Sequence, residues 1–522
     1  MTIKRAIFSL LMALVFVSLP IQWLIDGSAE NVAAVCLVLA SSVGVLLYVG
    51  MSDGLRSQPL STMAILGFCV TTHMGALLVQ TASRTPLVSY LYTPLYTFGI
   101  IVFYQWIAVA MHVAYRFFSA PVPGEEGLLR SGLRWMGLYR TPSAPALWFM
   151  GCVGLASFFV AHGEGVAGKL GQAFNFLTWA PFLIPFFLGE HGNSYCDARR
   201  AKFMLAGFTG IIALLGLALN ARQIIFVGGL TIGLLYLLAG MRSEERVTSS
   251  MVRKIGLVAV LLAIVAQPLS DLTTAMAVAR GWRGKISPVA MVRTTYDVWK
   301  RPALLAAARA EGAATSAYLA YDERYISNPG LARLVSTKFI DNSLHFAALL
   351  KSDGAKARLR DASIVLAWAV LPEPVLDRLD LKFDKKELTY SMGDYLAYLS
   401  RGIPLGGHKT GSMFAQGQAL FGVLFPIIYS GICLLMFVVM DLLSIRHRDA
   451  ATALSAFAML EIWWYFGSSL HYEALHNVSG FFFRNLEQTV LIYAGIYATA
   501  RLFEGGAKAL LGYPTTLWYR QS

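Results

Sequence analysis

The chain has 522 residues, of which 56% are apolar and 14% charged, with a formal net charge of +13. Soluble domains run at about a quarter charged residues, so this balance excludes an ordinary water-soluble enzyme and describes a protein whose solvent is largely lipid. No nucleic-acid partner is expected from the positive charge, because the basic residues sort by side of a membrane.

Apolar stretches recur, each of the ~17–25 residues needed to cross a ~30 Å hydrocarbon layer as a helix. Barrel strands would be shorter and alternating. The pattern predicts twelve spans, beginning with 6–25, 32–51, 61–80 and 92–118. Next come 146–162, 173–189, 202–219 and 223–240, then 255–272, 414–443, 451–468 and 488–503. The first stretch reads as a span and not as a cleaved leader, since Trp23 and Ile25 run on with no small-residue cleavage site. Division at the long insert gives an N-terminal bundle (1–269), a cap (270–411) and a C-terminal group of spans (412–522).

Lysine and arginine set the orientation. With Lys4 and Arg5 on the cytoplasmic side, the inner segments hold 19 basic residues and the short outer loops four: Arg84, Lys169, Arg222 and Arg484. Both termini are then cytoplasmic and the insert external, with the other 20 basic residues in it. Long loops are exempt from the rule. The five cysteines Cys36, Cys69, Cys152, Cys196 and Cys433 all avoid the insert, so no disulfide framework is expected there.

The insert has a helical pattern. Ser287-Pro288 looks like a helix start, 331–351 and 355–370 have helical apolar spacing, and Pro372 and Pro374 end that run. A glycine-rich stretch, 401–417, leads into the tenth span. The insert reads as a helical cap lying on the membrane, and 124–145 as an interfacial linker. No internal repeat is visible, in particular no inverted halves of the transporter kind.

Three constellations offer chemistry. Arg222, in the tight turn Asn220-Ala221-Arg222-Gln223, joins Arg280, Arg283 and Arg293 after the ninth span and Arg484 before the last, all at the outer boundary. Guanidinium binds phosphate bidentately, so arginines at one depth suit a lipid-linked diphosphate; the plain alternative is snorkelling to lipid headgroups. Second, Gly406-Gly407-His408-Lys409-Thr410-Gly411-Ser412 sets His408 as a possible general base on a sugar hydroxyl and Lys409 as a phosphate contact; the alternative is a plain surface loop. Third, His471, Glu473 and His476 follow span eleven and read as a polar cavity wall, since a lone His-x4-His without further ligands is weak evidence for metal. No metal or cofactor is expected. Glu461 sits inside a predicted span, where an ionisable side chain is costly and often functional.

Two motifs are decoys. Gly163-Glu164-Gly165-Val166-Ala167-Gly168-Lys169 has P-loop spacing but lacks the following hydroxyl residue and follows a span instead of a strand. Asn477-Val478-Ser479 fits a glycosylation acceptor, which carries no meaning in a bacterium.

The layout, together with Asn220-Ala221-Arg222-Gln223 and with His408-Lys409-Thr410-Gly411-Ser412-Met413-Phe414 leading into Gln418-Ala419-Leu420-Phe421-Gly422, resembles the Wzy-type oligosaccharide repeat-unit polymerases, relatives of the O-antigen ligases. The run from Leu371-Pro372-Glu373 to Lys385-Lys386 and Gly393 is similar to the segment before that span in exopolysaccharide polymerases. The resemblance implies an all-α, GT-C-like multi-pass protein of the bacterial inner membrane. It implies polymerisation of undecaprenyl-diphosphate-linked repeat units at the periplasmic face, without nucleotide sugar or metal. A flippase and a chain-length regulator would be partners alongside membrane lipids. Arg222, Arg484, His408 and Glu473 would carry the chemistry, and Arg280, Arg283, Arg293, Lys409, His471 and His476 would bind substrate.

Three other functions compete: an O-antigen ligase, which differs only in its acceptor; a polyprenyl-phosphate-dependent transferase with an acid such as Asp26 in the first external loop; and a flippase or exporter. The last needs a polar path, for which the spans offer little beyond Glu461, Asn175, His73 and His112.

Overall fold

The computed structural model describes residues 1–119, 127–160, 171–187, 198–282, 285–309, 322–326, 332, 334–371, 373–381, 390–445 and 452–510. Helices dominate; among the described residues the strands are one antiparallel pair, Ser444–Ile445 with Ala453–Leu454. Local sequence explains many helix starts. Thr2 and Ser28 accept the Arg5 and Asn31 amides at the heads of Ile3–Ile25 and Ala29–Met51. Thr248 accepts from Met251 at Ser249–Ala279, and Pro94 opens Pro94–Phe118 at the one position where a missing N–H costs nothing.

Among the described residues, seven helices are long and apolar enough to cross a membrane: Ile3–Ile25, Ala29–Met51, Pro94–Phe118, Arg199–Ala218, Ile224–Arg242, Ser249–Trp282 and Met413–Leu442. Pro59–Thr71 and His73–Ala82, bent by 42° where they meet, make an eighth if taken as one span. These match eight of the predicted spans. Ala144–Val160, at 17 residues and about 25 Å, is a shorter apolar helix at the lower end of spanning length. Predicted span 488–503 lies within helix Leu486–Leu510.

Two predicted spans are not continuous helices. Within 173–189 the chain forms a 3-10 stretch, Asn175–Leu183, then one turn of helix, Ile184–Phe187. Within 451–468 it forms Ala456–Leu460 and Ile462–Gly467, broken at Glu461. Both are apolar enough to read as spans, and apolarity alone does not report a break. Such irregular backbone is tolerated at membrane depth only where protein or a water-filled cavity surrounds it.

Glycines bring both broken segments into contact with helix backbones. A Cβ on Gly67 would fall 1.9 Å from the Phe466 carbonyl oxygen, so Pro59–Thr71 lies backbone to backbone against Ile462–Gly467. A Cβ on Gly154 would fall 2.2 Å from the Thr178 amide nitrogen, which sets Ala144–Val160 against the 3-10 stretch. The neighbouring helices Pro94–Phe118 and Met413–Phe421 meet through aromatic rings: Tyr104 and Phe414 stack at 4.6 Å between centroids.

Part of the insert shares this core. Helices Thr337–Ala348, Asp353–Ala369 and Met392–Arg401 contribute Leu344, Phe346, Leu359 and Leu396 to the same buried cluster as the bundle. The Ser336 amide donates to Thr71 O at 2.8 Å and Gln80 Nε2 to Tyr325 O at 2.8 Å. Asp341, fully buried, accepts from the Tyr92 and Thr93 amides at 2.8 and 3.1 Å and from Thr97 Oγ1 at 2.9 Å, so an insert residue caps the entry to Pro94–Phe118. Lys338 Nζ pairs with Asp341 at 3.3 Å. Pro288–Trp299 belongs elsewhere: it packs on Ser249–Ala279 and Ala198–Ala218, where Ala275, Val298 and Leu305 form a small cluster of their own.

Candidate functional site

The two broken segments face one cavity of about 780 Å³. One wall is mainly apolar: Phe158 of Ala144–Val160, Ala173, Phe176 and Trp179 around the 3-10 stretch, and Ala221, Ile224 and Val227 at the start of Arg222–Arg242. Its polar residues are Gln172 and Asn175, the latter held by Ser157 Oγ at 2.7 Å. The other wall carries Glu461, Trp463, Trp464 and Ser468, then Glu473, His476, Arg484 and Asn485. The insert touches the cavity through Val370, just past helix Asp353–Ala369.

Each polar side chain owes its place to a local irregularity. Glu461 stands at the break between Ala456–Leu460 and Ile462–Gly467, with φ −94° and ψ 4°. Its carbonyl accepts the Trp464 and Tyr465 amides at 2.9 and 3.2 Å and so starts the next helix. His476 lies in Leu475–Gly480, a short helix fixed when the Leu475 amide donates to Gln416 Oε1 at 2.8 Å. Gln416 Nε2 in turn donates to Ser363 Oγ of the insert at 2.8 Å. Arg484 sits in a π-helical turn, Phe481–Asn485, a conformation frequent at functional sites.

Burial pushes the His476 imidazole down to about 4, so it is neutral at pH 7. Its buried Nδ1 has no hydrogen-bond partner among the described residues. The wall thus presents a guanidinium, two carboxyls and a neutral imidazole between tryptophans, able to hold an anion, orient hydroxyls and exchange a proton.

Of the residues singled out from sequence, Glu473, His476 and Arg484 meet here. Arg222 heads its helix between cavity residues Ala221 and Ile224, but its side chain lies outside the described set. His471 does not line the cavity: it is buried against Phe68, with ring centroids 5.1 Å apart, and its Nε2 is 3.2 Å from Thr71 Oγ1. Burial pushes it, too, down to about 4.

No residue of the loop 406–412 lines the cavity. Lys409 Nζ donates to Asp394 Oδ1 at 3.0 Å, and the His408 amide donates to Asp394 Oδ2 at 2.9 Å. Burial alone would raise Asp394, but its hydrogen bonds and charge contact with Lys409 hold it below the usual carboxylate range. Lys409 is therefore committed to a structural ion pair. His408, with φ +50°, leaves its ring exposed and does not line the cavity.

Arg280 and Arg293 do not line the cavity with Arg484. Arg280 and Arg293 are exposed, on Arg280–Trp282 and Pro288–Trp299, and belong to the outlying group on Ser249–Ala279. Their closeness in sequence to the ninth span reflects the length of that helix and not a shared site. Arg283 lies outside the described residues. Among the described residues no group of three or more His, Cys, Asp or Glu side chains is arranged for a metal ion.

Sequence reasoning missed the aromatic lining, Trp179, Trp463 and Trp464. The signal available in the sequence is the pair Trp463-Trp464 beside Glu461. Glu461, marked in the sequence as a costly ionisable residue within a span, and Asn175, noted there as a polar span residue, both line the cavity. His73 and His112 are buried away from it: His112 Nε2 is 2.9 Å from Ser61 Oγ, and His73 Nε2 is 3.4 Å from Cys69 Sγ. Comparison with protein-family models, curated proteins and solved structures returns no match for this chain.

Proposed function

We propose that this chain is a membrane-embedded glycosyltransferase that joins oligosaccharide repeat units carried on undecaprenyl diphosphate, as Wzy-type polymerases do. The observation that carries the reading is the meeting of Arg484, Glu473 and His476 with Trp463 and Trp464 in one cavity between broken helices. In this reading the chain crosses a bacterial inner membrane twelve times in a GT-C-like layout, with both termini cytoplasmic and 270–411 periplasmic.

The reaction is substitution at an anomeric carbon. The acceptor hydroxyl attacks, the bond to the lipid diphosphate breaks, and negative charge grows on the leaving group. A fixed guanidinium stabilises that charge more in the transition state than in the ground state. Arg484 takes this role, joined by Arg222 from the head of the neighbouring helix. Tryptophan faces suit sugar rings, and His476 and Asn175 suit their hydroxyls. The insert excludes water that would hydrolyse the donor.

Lipid-linked glycans extracted from a strain lacking the chain test the reading. Single repeat units are expected to accumulate; long polymer of normal abundance in that strain sinks the assignment. Arg484→Ala, at unchanged protein level, is expected to lower polymer formation by about 10²–10³-fold, the usual cost of losing one oxyanion-type donor, and Arg222→Ala to act in the same direction. A fully active Arg484→Ala protein would remove the residue on which the mechanism turns.

A further inference from the structure

Resting on that reading, we propose that Glu461 is the group that takes the proton from the attacking acceptor hydroxyl. In the step, the hydroxyl oxygen forms the new bond to the anomeric carbon as its O–H bond breaks. The proton passes to a Glu461 carboxylate oxygen. The anomeric carbon–oxygen bond to the diphosphate breaks, and the diphosphate leaves with the electron pair toward Arg484.

Position carries the inference. Glu461 lines the cavity from the break in its segment, with a backbone in the sparsely populated bridge region that active-site residues often occupy. A break costs backbone hydrogen bonds, and here it interrupts an apolar run at a carboxyl residue that lines the same cavity as Trp463 and Trp464. An ionisable side chain in such a run is a functional candidate by default. Among the described residues Glu461 has no ion-pair partner, unlike the paired carboxyls Asp341 and Asp394. It is half-buried, whereas Glu473 is exposed, where a base would activate water as readily as a sugar. His476, neutral with one bare nitrogen, suits a hydroxyl contact, and His408 stands outside the cavity.

The test measures polymer formation against pH in proteoliposomes of the full chain, with lipid-linked repeat units as substrate. Glu461→Gln is expected to lower the rate by about 10²–10⁴-fold, the range for a lost general base. The loss of rate on the acid side, present in the wild type, should vanish from its residual activity, while retention of lipid-linked donor stays unchanged. Glu461→Asp should keep part of the rate and a shifted acid limb; it carries the test if the glutamine variant does not accumulate. A Glu461→Gln protein within about threefold of wild type overturns the proposal. So does an acid limb unchanged in either variant, or one abolished instead by Glu473→Gln. Those results leave the polymerase reading intact; a wild-type protein that forms no polymer would instead sink that reading.

Discussion

His476 has a titration set by its surroundings. An unfolded histidine takes up a proton near pH 6.5, while burial holds the folded one down to about 4. Between those values the unfolded chain binds a proton that the folded chain refuses. Stability is therefore intact above about pH 6.5, declines as pH falls toward 4, and declines no further from this group below that. His471 acts in the same sense. Thermal unfolding of the detergent-solubilised protein should show the acid-side loss reduced in His476→Gln and reduced further when His471 is also replaced. An unaltered pH profile in the double variant would contradict the burial argument. Glu461, Glu473, His476 and Arg484 were legible in the sequence because a charged or titratable side chain in or beside an apolar run is conspicuous. The fate of Lys409 and His471 was not, since Asp394 lies 15 positions from one and Thr71 lies 400 from the other.

Helix propensity and hydropathy located most elements, since a 20-residue apolar run leaves few alternatives in lipid. They failed at 173–189 and 451–468, where the departure depends on contacts made through space. Gly154 makes one such contact. Gly154→Ala places a methyl 2.2 Å from the Thr178 nitrogen and 2.7 Å from the Leu177 carbonyl carbon. Overpacking of this kind costs about 1–3 kcal/mol, and here it also moves the apolar wall of the cavity. A lowered thermal midpoint is expected. Gly207→Ala, on a helix where an added Cβ meets nothing within 4 Å, is the control and should be neutral or slightly stabilising. Equal effects at the two positions would refute the close-approach account.

On the scale of the whole molecule, the insert is less separate than its position in the chain implies. The sequence pattern marked it as a helical cap, which fits helices Thr337–Ala348 and Asp353–Ala369. It did not reveal that Asp341 would cap a helix some 250 residues upstream, because nothing in either stretch names its partner. Asp341→Asn leaves Lys338, only 3% exposed at its side chain, without its countercharge. Breaking one half of a buried pair typically costs about 3–5 kcal/mol, and replacing both halves with apolar residues of like volume restores much of it. Limited proteolysis should therefore cut Asp341→Asn within 334–371 faster than wild type, and the added change Lys338→Met should slow it again. Wild-type resistance in Asp341→Asn would mean that the insert is held by its apolar contacts alone.

The π-helical turn at Phe481–Asn485 holds one more residue than the ordinary winding would. Everything after it along Leu486–Leu510 is thus rotated by about 100° relative to an uninterrupted helix. A chain shortened by one phenylalanine at that turn would keep nearly the same composition, hydropathy and helical content. Its guanidinium would point along a different azimuth, away from Glu473 and His476. A chain can thus lose the alignment of its polar wall through a change that a hydropathy profile does not register.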